Sequence, residues 1–210
     1  MINVVLFDLG NVILPVDGHR MAQKLTKHSP FPKDEILSHF GKKEMLDEFE
    51  TGRLSNEEFF QHIAKCCSFN GLDYHGFLPM FNDIFEEDAD VIALIEGLKS
   101  RVKLGMISNT NSIHATHLVQ RYQLFSHFHK VWFSNDVGLR KPDAQIYKIA
   151  LDHFNVKPEE TVFIDDLLPN IEGARELGIH GIHYRNYAHL VDELNKLGVS
   201  TQPADTRRIA

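Results

Sequence analysis

The sequence predicts an α/β fold, a doubly wound parallel sheet with a small helical domain inserted after the first strand. Short, almost continuous apolar runs recur along the chain, and helical patterns lie between them over residues 90–190. Runs of this length that are rich in Val, Ile and Phe suit strands covered on both faces. Strands that alternate with helices are typical of layered α/β structures. Two of the runs, in residues 4–8 and 162–166, end in carboxylates.

The individual elements follow from the same patterns. Five apolar runs are predicted strands: residues 4–8, 103–107, 130–133, 161–164 and 181–184. Apolar positions in residues 91–98 mark one face of a helix. The spacing i, i+3, i+4 and i+7 predicts a second helix with the face Tyr147, Ala150, Leu151 and Phe154. Asp143 precedes this second helix, and its short acceptor side chain is suited to an N-cap.

Residues 16–88 differ from the rest of the chain, because they hold helical patterns and no convincing strand. The sequence Ser55-Asn56-Glu57-Glu58 resembles a capping box that opens one of these helices. We therefore predict a core domain of residues 1–15 and 89–200 and a helical cap domain of residues 16–88. The cap would form a lid over the crevice of the sheet; alternatively, its helices extend the core. The polar, aperiodic residues 201–210 predict a disordered tail.

Composition limits the classes of function. The chain has 210 residues and a formal net charge of −7, which argues against a nucleic-acid surface. No apolar run approaches the roughly 18 residues that a membrane span needs. The first strand begins almost at Met1, which leaves no room for a signal peptide. Cys66 and Cys67 are adjacent and cannot pair with each other in normal disulfide geometry. We expect a cytoplasmic protein with reduced cysteines and no nucleic-acid or membrane partner.

Polar residues end each of the first four predicted strands. Asp8 ends the first, Ser108-Asn109 the second, Ser134-Asn135-Asp136 the third and Asp165-Asp166 the fourth, while Lys141 follows shortly after the third. The carboxyl ends of such strands meet in a ligand-binding crevice. Three carboxylates packed together repel one another unless a cation or a proton neutralises them, and a hard divalent ion, Mg²⁺ before Ca²⁺, is the expected partner. Phosphoryl transfer needs this mixture of nucleophile, metal and donors.

Four motifs occur in a fixed order: Asp8-Leu9-Gly10-Asn11-Val12, Ser108-Asn109, Lys141-Pro142, and Asp165-Asp166 followed by Asn170-Ile171-Glu172-Gly173-Ala174. In this order and at these distances they resemble the haloacid dehalogenase superfamily, which places a helical cap where residues 16–88 lie. Within it, the chain is similar to bacterial sugar-phosphate phosphatases and, more distantly, to the phosphatase region of soluble epoxide hydrolases. The resemblance implies an Mg²⁺-dependent phosphatase whose partner is a small phosphorylated metabolite, expected to be a sugar phosphate.

The resemblance also implies roles for the residues that handle the substrate. Asp8 would be the nucleophile that attacks phosphorus and forms an aspartyl-phosphate. Ser108 and the backbone N–H of Asn109 would hold the phosphate oxygens. Lys141 would neutralise the charge of the phosphoryl group and orient Asp8, which makes it both a catalytic and a substrate-binding residue.

A second group of residues is implied to hold the metal. The other carboxylate oxygen of Asp8 would bind Mg²⁺, together with the main-chain carbonyl of Gly10 and the carboxylate of Asp166. Asp165 would be a second carboxylate ligand or would act through a water molecule.

Gly10 departs from the usual pattern of the superfamily, in which a second Asp at this position protonates the leaving oxygen and then activates water. General acid–base catalysis contributes roughly 10²–10⁴ in rate, so another group, such as a metal-bound water or Asp17, would have to replace it. Three alternatives stay open: a phospho-ligand-binding or regulatory protein without turnover, a 2-haloacid dehalogenase, against which Asp165-Asp166 argues, and a phosphomutase. The sequence leaves the oligomeric state open.

Overall fold

The sheet confirms the predicted fold class. A computed structural model describes residues 1–201 of the protein. The strands of this part of the chain are β1 (Val4–Phe7), β2 (Lys103–Ser108), β3 (Lys130–Phe133), β4 (Thr161–Asp165) and β5 (His180–His183). They are all parallel and lie in the order β3-β2-β1-β4-β5. Each predicted strand lies within one residue of these bounds, and the α/β architecture with a doubly wound sheet is confirmed.

The α-helices of the described residues fall into two groups. Five lie within the predicted insertion after β1: α1 (Gly18–Leu25), α2 (Lys33–Phe40), α3 (Lys43–Glu50), α4 (Asn56–Cys66) and α5 (Tyr74–Phe81). The others accompany the sheet: α6 (Ala89–Leu98), α7 (Ser112–Arg121), α8 (Ser134–Val137), α9 (Ala144–Phe154), α10 (Leu168–Glu176) and α11 (Tyr187–Lys196). Short 3₁₀ helices occupy Thr26–His28, Gln123–His127 and Pro158–Glu160.

Helices cover both faces of the sheet, and the central strand shows why its sequence is apolar throughout. Val5 and Phe7 pack into one buried cluster with α6, α7 and α11. Val4 and Leu6 pack into a second cluster with α9 and α10. All four side chains are fully buried. Because side chains alternate between the faces of a strand, a strand covered on both faces has no solvent-facing position for a polar residue.

We call α1–α5 the helical module. Its apolar side chains form a cluster of their own, rich in phenylalanine, in which the rings of Phe49 and Phe59 stack with centroids 3.9 Å apart. The predicted capping box is present at the start of α4: Ser55 Oγ accepts from Glu58 N, and Glu58 accepts from Ser55 N. The chain enters and leaves the module side by side, since Asp17 N donates to Ile84 O at 2.8 Å. The division into core and cap domains stays a prediction.

The strand order places a topological switch beside β1. The chain runs outward from β1 through β2 to β3, and then returns to the other side of β1 to form β4 and β5. Ligands of open α/β sheets bind at such a switch point, outside the carboxyl ends of the strands. The residues that follow β1 and end β4 therefore face the expected crevice.

Two further predictions concern the C-terminal tail and membrane-spanning helices. Residues 202–210, which make up almost all of the predicted disordered tail, lie outside the described residues. Among the helices of residues 1–201, none combines the length and the apolar character needed to cross a bilayer.

Candidate active site

Three carboxylates meet at the switch point between β1 and β4. Asp8 follows β1, Asp165 ends β4, and Asp166 comes next in the chain. Oxygen atoms of the three groups lie within 4.8 Å of one another. The parallel pairing of β1 with β4 holds the two strand ends in register, with Phe7 opposite Ile164. The sequence therefore brings the predicted carboxylates together because both runs end at the same edge of the sheet.

Lys141 lies between two of these carboxylates. Its Nζ is 2.7 Å from Asp8 Oδ1 and 2.7 Å from Asp165 Oδ2, and its side chain is 1% exposed. Burial alone would lower the pKa of Lys141, but the two carboxylates outweigh burial and raise it above its ordinary value. The ammonium group is therefore charged and fixes the position of Asp8.

Two features hold the backbone at Lys141. The side chain of Asn109 spans it, since Asn109 Oδ1 accepts from Lys141 N at 2.8 Å and Asn109 Nδ2 donates to Lys141 O at 2.9 Å. On the other side, a Cβ at Gly173 would lie 2.9 Å from the carbonyl oxygen of Pro142, so the lack of a side chain lets α10 approach closely. The side chain of Asn109 thus positions Lys141, a role additional to the phosphate-binding backbone N–H that the resemblance implies.

The two neighbouring acids at the end of β4 have different surroundings. Asp165 is fully buried. Its Oδ1 accepts from Leu167 N at 2.8 Å, its Oδ2 accepts from Lys141, and both oxygens lie 3.0 Å from Asn170 Nδ2. Asp166 is half-buried, and its Oδ2 accepts from Asn11 Nδ2 at 3.3 Å. Asp165 is thus bound on all sides by protein donors, whereas Asp166 keeps more of its coordination capacity.

The surroundings of Asp8 disfavour the charged form of its carboxyl group. Its Oδ1 accepts from Leu9 N at 2.7 Å and from Lys141. Burial raises the pKa of Asp8 to about 7, with a further contribution from the charge of Asp165, while Lys141 opposes the change. Burial and Asp165 also raise the pKa of Asp166. Within the described residues, three carboxylates face one ammonium group here, and a divalent cation with oxygen ligands fits that charge and donor set.

Ser108 is the last residue of β2, the strand next to β1, and a loop follows it. The Ser108 hydroxyl makes no hydrogen bond with any residue in the described part of the chain, although its side chain is almost wholly buried. The loop is anchored by Ser134 Oγ, which accepts from Thr110 N and donates to Thr110 O, both at 2.9 Å. Asn111 then caps α7 by accepting from His114 N. A fixed loop with an unused hydroxyl at its start is suited to binding an oxyanion.

A cavity of about 240 Å³ opens beside this loop, between the sheet and the helical module. Gly10, Ser108 and Asn109 border it, and of its eighteen lining residues, all in the described chain, eleven are apolar. The aromatic members of that lining are Phe40, Phe49, Phe59, Phe81 and Phe85.

Glu50, at the end of α3, is the single carboxylic acid among the described residues that line this cavity. Burial raises its pKa to about 7, against the opposing effect of Lys141, and the charge of Asp8 adds to the rise. Its Oε2 lies 2.8 Å from Arg140 Nη2, and Arg140 also contacts Asp47. The helical module therefore contributes a carboxylic acid, Glu50, whose pKa depends on the charges of Lys141 and Asp8.

The residues just after the first motif lie differently from the site residues. Asp17 caps α1 by accepting from His19 N. Arg20 forms ion pairs with Asp83, at 2.9 Å, and with Glu86. None of Asp17, His19 and Arg20 lines the described cavity. Their side chains secure the start of the helical module, and a role for Asp17 in place of an acid at position 10 stays a prediction.

A family model for haloacid dehalogenase-like hydrolases matches residues 2–178. The chain belongs to this hydrolase family. A D-ribitol-5-phosphate phosphatase of Bacteroides thetaiotaomicron is 27% identical over 206 residues, covering 92% of this chain and 97% of the relative. A sesquiterpene phosphatase of Aspergillus oryzae is 24% identical over 155 residues, 73% of this chain and 79% of the relative.

Solved structures of the haloacid dehalogenase family share the fold. One is a family enzyme from Bacteroides thetaiotaomicron in complex with magnesium and inorganic phosphate, which matches with a TM-score of 0.77 and 24% identity over 90% of this chain and 99% of that chain. Together with the phosphatases among the relatives, the family match confirms the predicted superfamily and the predicted enzyme class, a phosphatase.

His114 is a buried histidine of this hydrolase that no sequence motif singles out. Its Nδ1 lies 2.9 Å from Asn82 Oδ1, and its ring stacks on Phe81 with centroids 4.1 Å apart and meets Phe85 edge-on. Burial lowers the pKa of His114 to about 3, so the imidazole is neutral at physiological pH. It joins α7 to the segment that ends the helical module.

This burial has a consequence for the pH dependence of stability. Between pH 6.5 and 3 the unfolded chain binds a proton at His114 and the folded chain does not, so stability is lost as pH falls. About 2 kcal/mol of that loss falls between pH 6.5 and 5, at 1.36 kcal/mol per unit. We expect His114→Gln to remove this part. Urea unfolding of both proteins in EDTA at the two pH values measures it; equal losses in the two proteins would contradict the assignment.

Proposed function

We propose that this hydrolase is an Mg²⁺-dependent phosphatase of small phosphomonoesters that works through an aspartyl-phosphate on Asp8. The observation that carries the proposal is the contact of Lys141 Nζ with Asp8 Oδ1 inside a cluster of three carboxylates. It places a charged, immobile cation beside the expected nucleophile. The phosphatases among the relatives support the same reaction class.

The residues that would hold the metal follow from their surroundings. Asp8 and Asp166 offer carboxylate oxygens, and Gly10 offers its main-chain carbonyl. Asp165 would support these ligands without binding the metal directly, because its oxygens already accept hydrogen bonds from Lys141, Asn170 and Leu167. A bound Mg²⁺ would supply Lewis-acid stabilisation of the charge that develops on the phosphoryl oxygens.

The chemistry of the chain's own residues has two steps. In the first, an Asp8 oxygen forms a bond to phosphorus while the bond between phosphorus and the ester oxygen breaks, and the leaving alkoxide takes up a proton. In the second, water attacks phosphorus, gives up a proton, and releases inorganic phosphate and the free Asp8 carboxylate. Ser108 and the N–H of Asn109 would hold phosphoryl oxygens, and Lys141 would balance their charge.

Glu50 is our candidate for the proton transfers that Gly10 cannot perform. It lines the cavity that Gly10 and Ser108 border, and its pKa of about 7 suits a group that gives and takes a proton near neutral pH. It comes from the helical module, so the site would be complete when the module lies on the sheet. We propose that residues 16–88 act as a cap for this reason, and that closure excludes bulk water from the first step.

Glu50→Gln separates proton transfer from binding. We expect kcat/KM for an alkyl phosphate to fall about 10²-fold, the lower range for lost acid–base catalysis. For p-nitrophenyl phosphate, whose leaving group departs without a proton, the fall should be much smaller. Glu48→Gln, an exposed change on the same helix, is the matched control. If both esters lose rate equally, Glu50 does not transfer the proton.

Gly10→Asp tests the same idea from the opposite side. A Cβ at Gly10 would lie 3.6 Å from Val16 Cγ2, an ordinary contact, so the backbone accepts a side chain at this position. In the Glu50→Gln background, we expect Gly10→Asp to restore alkyl phosphate hydrolysis at least about tenfold, a part of the acid–base contribution. Alkyl phosphate hydrolysis that stays as slow as in Glu50→Gln alone would argue against a shared role.

The proposed function is tested by phosphate release from a panel of phosphomonoesters, with Mg²⁺ and with EDTA. The panel contains sugar 1- and 6-phosphates, ribitol 5-phosphate, alkyl phosphates and p-nitrophenyl phosphate. We expect Mg²⁺-dependent release. Binding of phosphate without hydrolysis of any ester would favour a regulatory protein, and chloride release from 2-chloropropionate without metal would favour a dehalogenase.

A further inference from the structure

We propose that the alcohol part of the substrate is an apolar hydrocarbon group rather than a sugar. This inference rests on the proposed phosphatase function and concerns the same site. It comes from the cavity beside Ser108 and Gly10, which is where the group attached to the phosphoryl would have to lie.

The polar and apolar parts of this cavity come from different segments. The consecutive residues 108–111 supply most of its polar lining, next to the proposed phosphate position. The helical module supplies most of its apolar lining, including the side chains of Met21, Phe40, Phe49, Phe59 and Phe81. A ligand with an anionic head and an apolar body matches this arrangement.

The two polar side chains that line the cavity outside residues 108–111, Glu50 and His114, already have partners. Glu50 contacts Arg140 and is assigned above to the ester oxygen, and the Nδ1 of His114 lies 2.9 Å from Asn82 Oδ1. The ring of His114 is neutral and lies against Phe81 and Phe85. A sugar or polyol would bring several hydroxyl groups against this wall, and each buried hydroxyl without a partner costs about 1–3 kcal/mol. A hydrocarbon group meets no such penalty.

The volume sets the size of the group. A cavity of about 150 Å³ lined by Leu, Ile and Phe admits benzene, and the cavity here has about 240 Å³. It therefore has room for a ring with a short chain, or for an alkyl chain of comparable volume. Each methylene that leaves water gains about 0.8 kcal/mol, which corresponds to about fourfold in kcat/KM.

The first experiment is a series of n-alkyl phosphates, ethyl, butyl and hexyl, assayed for phosphate release with Mg²⁺ beside ribitol 5-phosphate. The esters share nearly the same leaving-group basicity, so differences report on the cavity. We expect kcat/KM to rise along the series, with a hexyl-to-ethyl ratio of at least about 50. Ribitol 5-phosphate should fall at least about tenfold below hexyl phosphate because its hydroxyls lack partners.

A pair of matched variants ties the preference to this cavity. Val16 lines it and is 37% exposed, so Val16→Trp can fill the space without disturbing the core. Val119 is 53% exposed on α7 and lies outside the lining. We expect Val16→Trp to reduce the hexyl-to-ethyl ratio to below about one fifth of the parental ratio, the loss of one to two methylenes, and Val119→Trp to preserve it.

The outcomes distinguish the two proposals. Phosphate release that is flat along the alkyl series, or fastest with ribitol 5-phosphate, overturns the apolar substrate class and leaves the phosphatase standing. A rising series that Val16→Trp does not alter overturns the assignment to this cavity. No release from any monoester, p-nitrophenyl phosphate included, overturns the proposed function and the inference with it.

Discussion

Asp8→Asn should abolish phosphate release while leaving the protein folded. The amide is not a nucleophile toward phosphorus, so we expect turnover to fall by on the order of 10⁴ or more, as when a catalytic nucleophile is removed. The fold should not suffer, because burial disfavours a charged Asp8 and raises its pKa to about 7. Steady-state kinetics with Mg²⁺ and urea unfolding in EDTA together test this expectation.

Asp152→Asn provides the matched control for this change. Asp152 is exposed on α9. It undergoes the same change of side chain, and we expect parental rates. An Asp8→Asn protein that hydrolyses substrate as fast as the parent would disprove the mechanism, whereas a variant that fails to fold would disprove our account of the Asp8 environment.

Lys141→Met should damage both stability and catalysis. The change leaves Asp8 and Asp165 buried without the ammonium group that lies 2.7 Å from each. Removing one partner of a buried ion pair costs about 3–5 kcal/mol, so we expect the free energy of unfolding to fall by this order in EDTA. Turnover should fall by about 10²–10³, the range for loss of a single transition-state charge contact.

Lys148→Met removes an exposed lysine seven positions further along and serves as the control. Its stability and kinetics should match those of the parent. Added Mg²⁺ gives a second readout, because a cation at the carboxylates should restore part of the stability of Lys141→Met without restoring turnover. Parental rates in Lys141→Met would remove this residue from the site.

The sequence predicted the site most successfully where the chemistry is local to a strand end. Asp8 and Asp165 each follow an apolar run, and parallel strands present their carboxyl ends at one edge, so their meeting could be inferred from sequence alone. The strand bounds were predictable because each strand is a short apolar run that ends in polar residues. Lys141 follows no strand directly, and only the order of the motifs pointed to it.

The difference in hydrogen-bond partners between Asp165 and Asp166 was not predictable from sequence. Asp165 and Asp166 are identical neighbours, and what separates them is the set of donors that reach Asp165: Lys141, 24 positions earlier, and Leu167 and Asn170 at the start of α10. The same holds for Asn109, whose side chain holds the backbone of a residue 32 positions away. Such contacts depend on tertiary packing, which short motifs do not encode.

Glu50, His114 and the apolar cavity were beyond sequence reasoning for a related reason. Each owes its properties to the way the helical module packs on the sheet. Glu50 lies in an amphipathic helix whose charged residues mostly face solvent, and periodicity cannot tell which acid becomes buried. A histidine in a helix is usually unremarkable until its neighbours are known.

The central claim is that the phosphoryl group passes through Asp8, and the most direct measurement is to trap it there. The enzyme is mixed with Mg²⁺ and the best phosphomonoester of the panel, quenched in acid within a single turnover, digested, and analysed by mass spectrometry. We expect one phosphoryl group on the N-terminal peptide at Asp8, and none in Asp8→Asn. A burst of released alcohol with no phosphorylated protein, or a phosphoryl group on another residue, would contradict the account.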